Sequence, residues 1–347
     1  MGDESKIISG RKGEHIKLSL SDDADYDSVT NGFENYQFIH HAATEVAIDE
    51  IDFSAKFFSK KVDYPFIISS MTGGAAEANS VNERLAEVAK ALNIPIGVGS
   101  QRRSLLDNKF DDSYKSIRKI GGSVPILGNI GAAQIVKSEK IIDDINYLID
   151  LIEADAMIIH LNPLQELLQP EGEPNFKGLI RKIEKITSKI KTPVIVKEVG
   201  AGIDPNSAVK LLDAGVKGID VAGAGGTNWA KIELMRSGSQ SFLSEWGNPT
   251  SYCLRTIKKL KKNYKFVLIS SGGLRKSVDF AKSYALGADF TAAAKPILKL
   301  VIEKDVQAAV DYIKNLFEDI KKIMYLTGCG KLSDLQKNKL INKSEFH

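Results

Sequence analysis

The 347-residue chain carries 47 Lys and Arg against 44 Asp and Glu, a formal charge of +3. That balance gives no electrostatic basis for a nucleic-acid partner, and no apolar run approaches the roughly 20 residues of a membrane span. Cys253 and Cys329 form no CxxC pair and no disulfide framework, which fits a reducing, cytoplasmic setting.

In chain order, the opening MGDESKIISG lacks the apolar core of a secretory signal, and Lys6 stands where a myristoylation signal needs Ser or Thr. Residues 1–64 follow no regular rhythm and are expected to form an N-terminal extension. His40-His41 has no polar company there and reads as structural. From residue 65 short apolar or β-branched runs alternate with helical patterns. The candidate strands are PFIISSM (65–71), IPIGVGS (94–100), VPILGNI (124–130), AMIIHLN (156–162), PVIVKEV (193–199), GIDVAGA (218–224), FVLISS (266–271) and ADFTAAA (288–294). Amphipathic stretches such as VNERLAEVAKALN (81–93) and NSAVKLLDAG (206–215) lie between them, with Gly or Asn as stops. KKLKKNYK (258–265) reads as the solvated face of a helix.

Eight βα units predict a (β/α)8 TIM barrel over residues 65–328. An open doubly wound sheet uses the same units, but no GxGxxG follows the first strand. Residues 329–347 form a polar C-terminal tail, expected to be loosely ordered.

Barrel sites sit at the C-terminal strand ends. Here those ends read Met71-Thr72-Gly73-Gly74, Ser100-Gln101-Arg102, Asn129, His160-Leu161-Asn162, Lys197-Glu198, Gly225-Gly226-Thr227, Ser271-Gly272-Gly273 and Ala294-Lys295. So many polar or glycyl ends suit a large phosphorylated ligand. Gly272-Gly273 precedes a helix whose backbone N–H groups could hold a phosphate, although tight turns alone also call for glycine. Lys197, leaving the apolar run Val194-Ile195-Val196, could serve as a Schiff-base nucleophile, a phosphate partner or a cation beside a flavin.

The motifs RKGEHI (11–16), MTGG (71–74), GVGSQR (97–102), HLNPLQE (160–166), QPEG (169–172), GGTNW (225–229) and SSGGLR (270–275) together resemble the type 2, FMN-dependent isopentenyl-diphosphate delta-isomerases. The likeness runs from about residue 11 to residue 328. The stretch VTNGFENYQFIHHA (29–42) is similar to the archaeal branch.

The resemblance implies a TIM-barrel flavoprotein that interconverts isopentenyl and dimethylallyl diphosphates in isoprenoid biosynthesis. It also implies reduced FMN as the acid and base, Mg²⁺ on the diphosphate, NAD(P)H as reductant and a homo-oligomer, tetrameric or octameric. Carried over by motif, Met71, Thr72, Gly73, Ser100, Asn129, Lys197, Thr227, Gly272, Gly273, Ala294 and Lys295 would line FMN. Arg11, Lys12, Arg102, His160, Asn162 and Gln165 would bind the substrate, Glu166 would hold Mg²⁺, and Gln165 with Glu233 would act at the reacting end. That implication fits the residues: apart from Glu166 and Glu198 no obvious strong acid stands among the strand-end motifs, so a cofactor is expected to protonate the alkene.

Three departures from the family pattern stand out. SSM (69–71) replaces the common Thr-Gly-Met, VAGAGGT replaces the frequent Ser-Gly-Gln-Gly-Gly-Thr, and Lys295 stands where several relatives are apolar. Other readings are an FMN barrel oxidoreductase, hydroxyacid-oxidase-like or inosinate-dehydrogenase-like, or a non-enzymatic flavin or prenyl-phosphate binding protein. The first needs a histidine at the seventh strand end, where Ser270-Ser271-Gly272 stands. The second needs a loop cysteine, but Cys253 reads as helical and Cys329 lies near the tail. Binding alone leaves Gln165 and Glu166 unexplained. Trp229 and Trp246 either shape the loop over the pocket or simply pack.

Overall fold

The computed structural model describes residue 15 and residues 17–70, 78–337 and 339–346. Eight parallel strands close into a barrel: β1 Phe66–Ile68, β2 Ile96–Gly97, β3 Ile126–Gly131, β4 Ala156–Leu161, β5 Val194–Glu198, β6 Gly218–Asp220, β7 Val267–Ser270 and β8 Phe290–Ala293. All eight lie within the expected runs, except that β3 extends one residue beyond its run. The barrel closes because β8 pairs with β1 (Thr291 opposite Phe66) and β7 with both β6 and β8.

Alternation along each strand decides what faces inward. Ile67, Leu127, Ile158, Ile195, Ile269 and Ala292 form one buried cluster within the barrel. The neighbours two residues further along several of these strands are Ser69, Asn129, His160, Lys197, Ser271 and Ala294. One period-two pattern therefore supplies an apolar floor and then a polar mouth.

The lower end of this cluster is sealed by the extension. Its antiparallel strands Ala55–Phe57 and Lys60–Val62 form a hairpin, and Phe57 and Val62 join the inner cluster. Phe57 is buried edge-on against Phe290, with ring centroids 5.1 Å apart. Burying such a side chain stabilises the fold by about 2 kcal/mol. The outer faces of the strands pack on helices through a second, larger cluster. Helix Leu179–Lys189, for example, buries Ile183 and Ile186, three residues apart on one face.

The tail differs from its expectation. Leu340–Asn342 pairs antiparallel with Tyr36–Phe38 of the extension, and Leu335 is fully buried. Its polarity reports only where the side chains point. The ordering comes from backbone pairing, which composition does not display. Among the described residues no helix is long and apolar enough to cross a membrane.

Candidate active site

The mouth of the barrel is a cavity of about 540 Å³. Ser100, Arg102, Asn129, His160, Asn162, Gln165, Glu166, Lys197, Thr227, Gly272, Gly273, Ala294 and Lys295 all line it. Arg11, Lys12, Met71, Thr72 and Gly73 lie outside the described residues. Glu233 stands apart, since it is fully buried behind the wall and reaches the cavity through Gln165.

Side chains dominate the wall made by β3, β4 and β5. The Asn129 amide donates to Val98 O at 3.0 Å, which leaves its Oδ1, 2.8 Å from His160 Nδ1, to accept. His160 therefore carries its proton on Nδ1. Burial, with Lys197 and Arg102 nearby, holds His160 down to about 4, so at neutral pH its Nε2 presents a lone pair. Lys197 follows in register opposite His160 and donates to Glu198 O at 3.0 Å. The Glu198 side chain turns the other way along the strand. Its Oε2 accepts from the backbone N–H groups of Val199, Gly200, Ala201 and Gly202 at 2.5–3.2 Å. Burial pushes Glu198 up to about 7, against the pull of those donors and of Lys197.

The loop after β4 opens into the short helix Pro163–Leu168, with Asn162 before it and Pro163 at the first turn, where a missing N–H costs nothing. Asn162 Nδ2 donates to Glu166 Oε1 at 3.0 Å, and Glu173 N donates to Glu166 Oε2 at 2.9 Å. Gln165 Nε2 donates to Glu233 Oε1 at 2.7 Å. Glu233 lies on helix Trp229–Ser237, which packs against that short helix. His15 Nε2 is 2.9 Å from the same Glu233 oxygen, while Arg236 sits 2.5 Å from the other. Desolvation opposes ionisation of Glu233, yet the close approach of His15 and the bonds from Gln165 and Arg236 prevail and hold its carboxyl below the ordinary value. Trp229 meets His15 edge-on at 5.2 Å and lines the cavity, which settles its role as a wall residue. Trp246, 61% exposed, packs far less.

The β6–β8 wall is built mostly of backbone. Gly272 (φ +102°) and Gly273 (φ +71°) adopt left-handed conformations. A Cβ on them would lie 2.1 Å from Gly223 O and 2.4 Å from Gly225 O. Close approach of the β6 and β7 loops alone therefore requires glycine at both positions. Lys295 opens helix Lys295–Glu303 and donates to Ser21 O at 2.7 Å. Its ammonium also lies 3.4 Å from Asp25, which pairs with Arg275 as well.

Sequence reasoning missed Ser69, Ser70, Gln134, Gln169, Arg275, Lys299 and Tyr312 on the cavity wall. Arg275 was within reach, because it ends the quoted SSGGLR motif. Tyr312 was not, as it comes from helix Val306–Leu326 after the last strand. Cys253 lies buried in helix Thr250–Ile257, and burial pushes its thiol up to about 12. That excludes it as an active nucleophile.

An isopentenyl-diphosphate delta-isomerase of Nostoc sp. is 41% identical over 340 residues, covering 96% of this chain and 95% of its own. The chain belongs to the isopentenyl-diphosphate delta-isomerase family. A member from Pyrococcus abyssi is 39% identical over 343 residues, covering 95% of this chain and 91% of its own. Residues 164–342 also match the FMN-dependent dehydrogenase family. Two solved structures share the fold: a flavocytochrome b2 variant (TM-score 0.70, 16% identity, 94% of this chain and 82% of its own) and a mandelate oxidase variant (TM-score 0.66, 16% identity, 95% and 94%). Against this family background, HLNPLQE is the stretch that joins the cavity to the buried Glu233.

Proposed function

We propose that the chain interconverts isopentenyl and dimethylallyl diphosphates, with FMN reduced by NAD(P)H and with Mg²⁺ on the diphosphate. The observation that carries this reading is the Gln165–Glu233 pair, 2.7 Å apart, set into a polar cavity that also presents Lys197 and the Gly272-Gly273 turn. The cavity suits FMN in two further respects. Buried Ser70 Oγ and Asn162 Oδ1 have no hydrogen-bond partner among the described residues, which leaves polar atoms for a ligand to satisfy. The β7 loop brings backbone and glycine, without bulky side chains, to the usual phosphate end of such barrels. When bound and reduced, FMN supplies the acid and base that an unactivated alkene requires.

The protein's own residues bind and orient. Ser100, Asn129, Lys197, Thr227, Gly272, Gly273, Ala294 and Lys295 contribute the flavin side of the cavity, and Met71, Thr72 and Gly73, outside the described residues, are assigned to flavin by motif. Arg11, Lys12, Arg102, His160 and Asn162 take the diphosphate, since several cations suit a group of that charge. His160 offers a lone pair at Nε2 in the ligand-free state, so it must take up a proton to donate to a phosphate oxygen. Gln165 faces the reacting carbons, and buried Glu233 fixes its amide and completes a path for a proton. Glu166 is a single carboxylate, enough for Mg²⁺, which keeps waters and phosphate oxygens as its other ligands. Among the described residues no group of three His, Cys, Asp or Glu could hold a metal without such help. The proposal includes self-association as a tetramer or octamer and a cytoplasmic location.

The test combines an absorption spectrum with an isomerisation assay. Purified protein is expected to bind FMN and to isomerise isopentenyl diphosphate only after reduction. Full turnover by flavin-free protein defeats the reading. Oxidation of a 2-hydroxyacid at a comparable rate would favour the oxidoreductase alternative.

A further inference from the structure

Asp220 has no role in the reading above, yet its position is unusual. It sits on β6 as the register partner of Lys197 on β5, and both side chains point into the barrel. The two are 4% and 9% exposed, and Lys197 Nζ lies 3.5 Å from Asp220 Oδ2. The other carboxylate oxygen accepts from Ser271 Oγ at 2.5 Å and from Ala222 N at 3.3 Å. One oxygen is thus fixed by β7 and by the loop after β6, while the other is left to the ammonium.

A buried carboxylate is costly, and its packing demands nothing ionic. The layer below is filled by apolar residues such as Ile195 and Ile158. The charge must therefore act on something. Other groups facing Lys197 are Glu198, whose carbonyl accepts from it, and His160, its partner on β4, held neutral by burial. Arg102 is also near enough to His160 to disfavour its proton.

We propose that Asp220 is a positioning residue that holds the Lys197 ammonium and withholds part of its field, so that it sets how strongly the site prefers reduced over oxidised flavin. This rests on the FMN reading. Reduction adds two electrons and one proton to FMN and leaves the ring with a negative charge. An unshared cation on the cavity wall favours that charge, and a cation already paired favours it less. Asp220 acts as the brake, and Ser271 keeps it in place.

The experiment measures the midpoint potential of flavin-loaded protein, reduced without oxygen by xanthine and xanthine oxidase against a reference dye. Asp220→Asn should raise the preference for reduced over oxidised flavin about tenfold, an upward shift of about 30 mV for a two-electron couple. Lys197→Met should shift it downward. In the Lys197→Met background, adding Asp220→Asn should change the preference by less than about twofold, because the cation that Asp220 restrains is gone. Ser271→Ala, which removes the donor that holds the carboxylate against the ammonium, should raise the preference by about twofold, and it keeps the test open if Asp220→Asn does not fold. An Asp220→Asn potential that stays put or falls overturns the proposal. An equal shift with and without Lys197 also overturns it, since that is a direct field of Asp220. Wild-type protein that takes up no FMN removes the flavin reading and this proposal together. Flavin-loaded variants with an unmoved potential remove this proposal alone.

Discussion

The two walls of the cavity are made differently. The β3–β5 wall presents Asn129, His160, Asn162, Gln165, Glu166 and Lys197, whose side chains hydrogen-bond to one another or to nearby backbone. The β6–β8 wall presents Gly226, Gly272 and Gly273, where two loops touch backbone to backbone. Chemistry carried by a side chain can be changed without altering the chain path. Chemistry carried by backbone cannot, because the conformation that places the N–H groups is the same one that holds the loops together. Substitutions on the first wall should separate activity from stability, and substitutions on the second should not.

The largest effect is expected at Gln165. Gln165→Leu removes the polar group at the reacting end and leaves Glu233 with His15 and Arg236, so turnover should fall roughly 10²–10⁴-fold. Thermal stability and flavin occupancy should stay near wild type. A matching loss of melting temperature places Gln165 among the structural residues and breaks the contrast.

The next effect is a pH dependence confined to the side-chain wall. His160, with an ordinary value of 6.5, is held near 4, so its contribution to stability is complete above 6.5 and is lost as pH falls through about 4. Glu198, with an ordinary value of 4.5, is raised to about 7, so its contribution is present below 4.5 and is lost as pH rises through about 7. Each span corresponds to an order of 3 kcal/mol, and the two slopes oppose one another. Wild-type stability should therefore change little between pH 4.5 and 6.5. His160→Asn should leave a stability that declines as pH rises, and Glu198→Gln one that increases. Denaturant titrations at three pH values check this, and identical slopes in all three proteins reject it.

On the backbone wall, Gly272→Ala puts a Cβ against Gly223 O at a positive φ, a strain of order 1–3 kcal/mol. The melting temperature and FMN affinity should drop together. Loss of FMN binding at unchanged stability makes Gly272 a ligand contact only.

The smallest effect concerns Glu166. Glu166→Gln keeps the shape and one of the two bonds from Asn162 and Glu173 while removing the charge, so the Mg²⁺ requirement should rise about tenfold with FMN binding intact. Rates measured against Mg²⁺ for this variant and for Gln165→Leu distinguish two neighbouring roles. The same Mg²⁺ defect in both means that the loop acts as one unit.

Much of this was legible in the chain. Eight apolar runs predicted eight strands, because the period-two alternation that fills a barrel is written locally. Lys197 and His160 were legible for the same reason, since each continues the inward face of a strand beyond its apolar part. HLNPLQE was legible as a crowd of polar groups at one strand end. The partners were not. Glu233 lies 68 positions from Gln165 and becomes its neighbour only when two helices pack. Asp220 read as one residue of an apolar strand, and its meeting with Lys197 and Ser271 depends on the register of three strands.

By itself the sequence determined the strands, their inward faces, the glycine turns and the family motifs. All of these rest on preferences that act within a few residues. Tertiary structure decided that the hairpin at 55–62 seals the barrel floor, that the polar tail pairs with Tyr36–Phe38, and that Asp25 rather than open solvent meets Lys295 and Arg275. These outcomes depend on apolar side chains, backbone groups and charges hundreds of positions apart, whose packing and hydrogen bonding act only over a few ångströms. Only the closed barrel brings them within that range.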